Sequence, residues 1–143
     1  VTTSPATVSV VIPCYNEEGT LRETHRRVRQ AFSRFGLYDC VIVYVDDGSA
    51  DGTPALLREL QAGDPRVRVV FLARNFGHQF AVTAGLAHAE GDAVAIMDAD
   101  LQDPPEVIGE MLERWREGYE VVYGVRMDRE GETRFKLWTA SLF

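Results

Sequence analysis

The stretch IMDADLQDPPE, residues 96–106, runs from the end of an apolar segment into three aspartates within six positions and then a proline pair. Carboxylates this close repel one another unless a cation, a helix N-terminus or water takes up the charge. Asp98 and Asp100, one residue apart, read as oxygen donors to a hard cation such as Mg²⁺ or Mn²⁺, with Gln102 able to add an amide oxygen. A solvated turn is the bland alternative for the pair. Asp103 reads differently: Asp103-Pro104-Pro105-Glu106 fits an N-cap, proline at the first helical position and an acid two residues later. The stretch is therefore strand, acidic turn, helix.

The same unit repeats outward in both directions. VSVVIP (8–13), CVIVYVDD (40–47), VRVVFLAR (67–74), AVAIMD (93–98) and EVVYGVR (120–126) read as strands. Between them lie helix-period segments: Leu21, Val28, Phe32 and Phe35 up to Gly36, a helix opened by Thr53 and Pro54, an Ala-rich helix over 78–89, and Pro104 to Arg116. Continuous apolar strands alternating with helices predict an α/β fold, an open doubly wound and mostly parallel sheet with helices on both faces. RFKLWTASLF (134–143) reads as the opening of one more helix; its mix of basic and aromatic residues suits either an interfacial helix or an ordinary amphipathic one.

Composition sets the bounds. At 143 residues, 45% apolar and 26% charged, the chain reads as a single domain over 1–143 with a genuine core. The net charge of −7 argues against a general nucleic-acid binder, and Lys136 is the one lysine. The start VTTSPATVSV lacks the basic and apolar regions of a signal peptide, and no run approaches the ~20 apolar residues of a membrane span. Cys14 and Cys40 fall near opposite edges of a parallel sheet, which predicts free thiols and a reducing setting.

In open α/β sheets, ligands bind beyond the carboxyl ends of the strands. Here those ends carry PCYNE (13–17), DDGSADGT (46–53), RNFGHQ (74–79), DADLQD (98–103) and GVR (124–126), while the amino ends are bland. A calcium loop counted from Asp47 fails at its twelfth position, which is Arg58 where a glutamate is required. An acid pair at a sheet mouth can instead accept hydrogen bonds from a base or ribose, though a strand-to-helix turn explains it as well. His78 is either a hydrogen-bonded structural group or a catalytic one, and His25 and His88 are expected on helix surfaces. Arg126 follows the fifth strand, where a guanidinium can clamp a diphosphate.

With VVIPCYNEE, VDDGSADGT, RNFGHQFAVTAGL and MDADLQDPPE in this order, the chain resembles the family-2 glycosyltransferases of the GT-A, Rossmann-like fold, and more narrowly their polyprenyl-phosphate (undecaprenyl- or dolichyl-phosphate) hexosyltransferase branch. The resemblance covers nearly all of residues 8 to 135. It implies that Pro13, Tyr15, Asn16 and Glu17 line the nucleotide pocket, that Asp46 and Asp47 recognise the nucleoside, and that Arg74 and Arg126 belong to the nucleotide-binding set, Arg126 on the donor diphosphate. It implies that Asp98 and Asp100 carry the catalysis and, with Gln102, the Mg²⁺ or Mn²⁺ and diphosphate site. The implied donor is a nucleotide sugar, UDP-hexose ahead of GDP-mannose. The acceptor is a polyprenyl phosphate at the cytoplasmic side of the membrane, attacked with inversion. Acceptor-side residues, the catalytic base and the membrane-docking part are then expected beyond residue 143.

Two other enzyme classes fail on spacing. A HAD-type phosphatase needs its acid pair after the first strand, and a response-regulator receiver needs a lysine after the fifth, where Lys136 lies too far on. A non-catalytic nucleotide-binding module, and a family-2 transferase with a soluble or polysaccharide acceptor, stand as alternatives.

Overall fold

The computed structural model describes residues 4–129 and 132–140. They form two compact units, Val1–Pro105 and Glu106–Phe143. In the first unit, strands β1 (Ala6–Cys14), β2 (Tyr38–Asp46), β3 (Val67–Phe71) and β4 (Ala93–Ile96) alternate with helices α1 (Leu21–Phe35), α2 (Thr53–Gly63) and α3 (His78–His88). The sheet is parallel throughout in the order β3-β2-β1-β4. Chain order therefore reverses between β1 and β4, and the crevice of such a fold opens beyond the carboxyl ends of those two strands.

β1 and β2 are apolar without alternation because both of their faces are covered. Val8, Val10, Val11, Ile12, Ile42, Val43, Tyr44 and Val45 are all fully buried. Neighbouring strand residues point to opposite faces. Tyr44 meets His25 of α1, whereas Val45 and Val11 lie under Gly85 of α3, so α1 and α3 sit on opposite sides of the sheet. A Cβ at Gly85 would run into Val11 Cγ1, which is why an otherwise Ala-rich helix carries glycine there. α1 buries Leu21, Thr24, Val28, Ala31 and Phe32 along one stripe and ends at Gly36, whose left-handed φ of 64° lets its N–H return to the Phe32 carbonyl.

Five expectations need correction. Asp103 is not the N-cap of α4, which spans Val107–Arg116 behind Glu106. Each residue before a proline is pushed out of the helical region, so Asp103 and Pro104 both stay outside. Thr53 is the first residue of α2 behind Gly52, and its hydroxyl instead accepts the Glu17 N–H at 2.8 Å. EVVYGVR does not join the parallel sheet: β5 (Val121–Arg129) pairs antiparallel with β6 (Glu132–Ala140) in the second unit. The helix expected from Arg134 onward is therefore strand up to Ala140; Leu142 and Phe143 fall outside the described residues. Polar and apolar side chains alternate from Arg134 to Leu137, a period-two pattern that the basic-aromatic composition disguises.

His25 is the fifth. It is not a surface residue: its side chain is 15% exposed, with Nδ1 3.0 Å from the Tyr44 hydroxyl and Nε2 3.6 Å from Asp64 Oδ2. Asp64 also takes Arg29 Nε at 2.6 Å, while Arg29 donates to the Cys40 carbonyl. Burial, and then the Arg29 charge, hold the His25 pKa below its ordinary 6.5 against the opposing pull of Asp64. Burial would raise the Asp64 carboxyl, but the Arg66 N–H and the Arg29 guanidinium outweigh it and hold the pKa below 3.8. For both groups the unfolded chain binds more protons, so each loses stability as the pH falls. For His25 the loss starts near 6.5, and for Asp64 near 3.8. The urea midpoint is thus expected to drop between pH 7.5 and 5.5, and His25→Gln is expected to flatten that drop. Equal losses in the two proteins would refute the assignment.

Both cysteines are free and buried. In the register Cys40 lies opposite Val8 and Cys14 opposite Asp46, six positions along the strands, about 20 Å at the usual rise. Burial raises the Cys40 thiol to about 12.

Candidate functional site

The loops after all four parallel strands meet in one cleft of about 320 Å³. The β1 end supplies Pro13, Cys14, Tyr15 and Glu17, and the β2 end supplies Asp47. Asn75, Gly77 and His78 come from the segment after β3, and Asp98, Ala99 and Asp100 from that after β4. Tyr15 is 47% exposed at this mouth. Four of the lining side chains are carboxylates, and His78 is the one basic group among the lining residues, its Nε2 3.8 Å from Asp98 Oδ1.

Side chains set the loop positions. Asn16, at a left-handed φ of 53°, receives the Ala50 N–H on Oδ1 at 2.8 Å, and its own N–H reaches Ser49 Oγ at 2.9 Å. Glu18 Oε2 accepts the Gly52 N–H at 2.7 Å. These bonds tie the β1 loop to the β2 loop. Asp47, only 3% exposed, accepts the N–H groups of Phe76 and Gly77 at 2.7 and 3.1 Å and so ties the β2 loop to the start of α3. Gly48 permits that contact: at φ 71° it packs on the backbone of Arg74 and Asn75.

The acidic turn leaves the sheet after Met97, whose N–H bonds the Val11 carbonyl at 3.1 Å. Ala99 is buried between two cleft-lining carboxylates. Asp100 Oδ1 accepts the Gln102 N–H at 3.0 Å across Leu101, whose φ of 60° is costly for a branched side chain and marks a strained turn beside the acids.

Of the residues singled out in the sequence, Pro13, Tyr15, Glu17, Asp47, Asp98 and Asp100 share the cleft. Asn16, Asp46, Arg74 and Gln102 are not among its lining. Asp46 is buried and turns its carboxylate to the Ser49 N–H, and the Arg74 guanidinium stacks 4.1 Å over the Phe76 ring. Arg126 lies on β5 in the second unit. Cys14, which the sequence marks only as a free thiol at a strand end, lines the cleft. Burial, then the charges of Glu17 and Asp46, push its thiol far up, so it stays protonated and is neither a nucleophile nor a thiolate ligand.

No group of three or more His, Cys, Asp or Glu side chains among the described residues is arranged as a metal cage. Two adjacent hard-oxygen donors, Asp98 and Asp100, instead fit an ion such as Mg²⁺ or Mn²⁺ that keeps waters and takes its remaining oxygens from a phosphate ligand. Among the described residues no helix is long and apolar enough to cross a membrane.

The family model "Glycosyl transferase family 2" matches residues 9–141. The chain is 41% identical over 136 residues to a bactoprenol glucosyl transferase of Shigella phage SfV, covering 95% of this chain and 44% of that protein. It is 46% identical over 125 residues to an undecaprenyl-phosphate 4-deoxy-4-formamido-L-arabinose transferase of Edwardsiella ictaluri, covering 86% and 38%. Among solved structures it is similar to a mannosyltransferase from Pyrobaculum calidifontis in complex with GDP-Man and Mn²⁺, with a TM-score of 0.70, 25% identity, and coverage of 84% of this chain and 35% of that one. The α/β sheet is thus that of the GT-A glycosyltransferases. The chain spans less than half the length of the curated relatives it matches.

Proposed function

This chain belongs to glycosyl transferase family 2, and on that premise we propose that it forms the donor half of an inverting, divalent-metal-dependent transferase. The enzyme moves a hexose from a nucleotide sugar to a polyprenyl phosphate at the cytoplasmic side of the membrane. The observation that carries this reading is the charge of the cleft. Four carboxylates face one histidine among its lining residues, which supports a divalent cation that reverses the local sign for an entering nucleoside diphosphate.

Asp98 and Asp100 would hold that ion, and the ion, when bound, stabilises the charge that grows on the departing diphosphate. Tyr15, exposed at the mouth, offers a ring for the base to stack on. Asp47 keeps the Asn75–His78 wall in place and presents its carboxylate edge to the nucleoside. The acceptor phosphate is ionised at neutral pH, with a second pKa of about 6, so its oxygen attacks without a strong base. The new bond joins that oxygen to the anomeric carbon as the bond to the nucleoside diphosphate breaks on the opposite face. The bactoprenol and undecaprenyl-phosphate relatives support the lipid acceptor, and the GDP-Man and Mn²⁺ of the solved mannosyltransferase support a metal-bound nucleotide sugar. Among donors, UDP-hexose is favoured over GDP-mannose on the family resemblance.

The test is thermal. With UDP or GDP at about 100 Kd and Mn²⁺ present, one of the two nucleotides should stabilise the protein by about 2.7 kcal/mol, or about 5–10 °C for a chain of this size. Without a divalent ion neither should raise the melting temperature. An equal rise in EDTA, or no rise with either nucleotide, would overturn the reading.

A further inference from the structure

Thr24 is polar, fully buried and outside every motif, yet its hydroxyl lies 2.7 Å from the carbonyl oxygen of Ala99, the residue between Asp98 and Asp100. The same hydroxyl is 3.1 Å from the Thr20 carbonyl, the ordinary helical alternative. That carbonyl already receives the Thr24 N–H at 2.9 Å. A threonine hydroxyl has one proton to give, and the shorter bond, to an acceptor with no place in the α1 ladder, goes across to the acidic turn.

We propose that Thr24 is a positioning residue: by holding the Ala99 carbonyl inward against α1, it turns the Asp98 and Asp100 carboxylates outward into the cleft as a pair. Ala99 is 2% exposed at the floor of the turn, and it and the carboxylate residues on either side of it line the cleft. The Met97 N–H to Val11 anchors the turn on the sheet side, the Asp100–Gln102 bond closes it, and Thr24 holds its middle. A strained Leu101 at φ 60° is tolerated only if the backbone around it is held from outside. The inference rests on the metal-dependent reading of the site.

The experiment measures Mn²⁺ affinity in the presence of UDP or GDP, by electron paramagnetic resonance on the intact protein, at a temperature where every variant is folded by circular dichroism. Thr24→Val keeps the shape and removes the hydroxyl. It should weaken Mn²⁺ about 10-fold, the lower end of what partners behind a ligand are worth, and speed amide exchange at Gln102. Thr24→Ser should stay within about twofold of wild type. Val28→Ala, a cavity on the same buried stripe one helical turn beyond Thr24 that removes no hydrogen bond, should leave Mn²⁺ affinity unchanged. Thr24→Ala carries the test if Thr24→Val does not fold. Wild-type affinity in the hydroxyl-free variant, or an equal loss in Val28→Ala, overturns the positioning role and leaves the metal reading intact. A wild-type protein that binds no Mn²⁺ with either nucleotide overturns both.

Discussion

Asp100→Asn is expected to lower sugar transfer by the intact enzyme about 10²–10³-fold, the scale seen when one group that stabilises a departing anion is removed. It should also erase the metal-dependent rise in melting temperature. The substitution is chosen because asparagine retains an Oδ1 that can accept the Gln102 N–H at the same place, so the turn keeps its closing bond while the charge is lost. The fold has little to lose. Asp100 is partly exposed and sits among other carboxylates of the cleft, so removing one negative charge relieves repulsion rather than breaking a pair. The ligand-free melting temperature should therefore be unchanged or slightly higher while binding collapses. A variant that keeps more than a tenth of the turnover and its Mn²⁺-dependent shift would remove Asp100 from the site.

Gly48→Ala carries the largest expected loss of stability. A Cβ there would collide with the backbone of Arg74 and Asn75, with Arg74 Cα at 2.8 Å, and backbone cannot rotate aside as a side-chain tip can. The left-handed φ of 71° adds about 1 kcal/mol for any residue with a Cβ, and the overpacking adds about 1–3 kcal/mol. Together these predict a loss of about 2–4 kcal/mol, or about 4–15 °C in melting temperature. Because the collision pushes the β2 loop from the start of α3, it also strains the bonds from Asp47 to the Phe76 and Gly77 N–H groups, and nucleotide binding should weaken with stability. Gly36→Ala is the control. Its φ of 64° is as unfavourable, but a Cβ there meets nothing within 4 Å, so it should cost only the conformational part. Equal losses at the two positions would show that the loop contact at Gly48 has no special weight.

How far the sequence could be read depended on where each partner lies. The acidic turn was legible because Asp98 and Asp100 are neighbours and the apolar run before them ends in a way that only a strand end explains. Asp47 was legible as an acid at a strand end, but its hydrogen bonds to Phe76 and Gly77 were not, because those residues lie 29 and 30 positions away. The Asn16 amide joins two loops across 34 positions, a bond that no pattern within PCYNE announces. Thr24 left no trace in the sequence. A buried threonine on a helical stripe looks like an ordinary core position, and its acceptor is 75 residues distant. The β5–β6 ribbon is hidden for a different reason: the period-two alternation of Arg134 to Leu137 is short and lies within a basic and aromatic segment whose composition suits a helix equally well.

By itself the sequence determined the alternation of strands and helices, their near limits, and the gathering of the acids at one edge of a parallel sheet. Those properties follow from periodicity and from strand direction, and both are local or topological. Only the tertiary structure decided the strand order β3-β2-β1-β4, the β5–β6 pairing, and which carboxylates face the cleft and which are occupied in holding loops together. The physical reason is that a side chain's direction is set by the hydrogen bonds and contacts it finds in space. For Asn16, Asp47 and Thr24 those partners come from other elements, beyond the reach of any pattern within one segment.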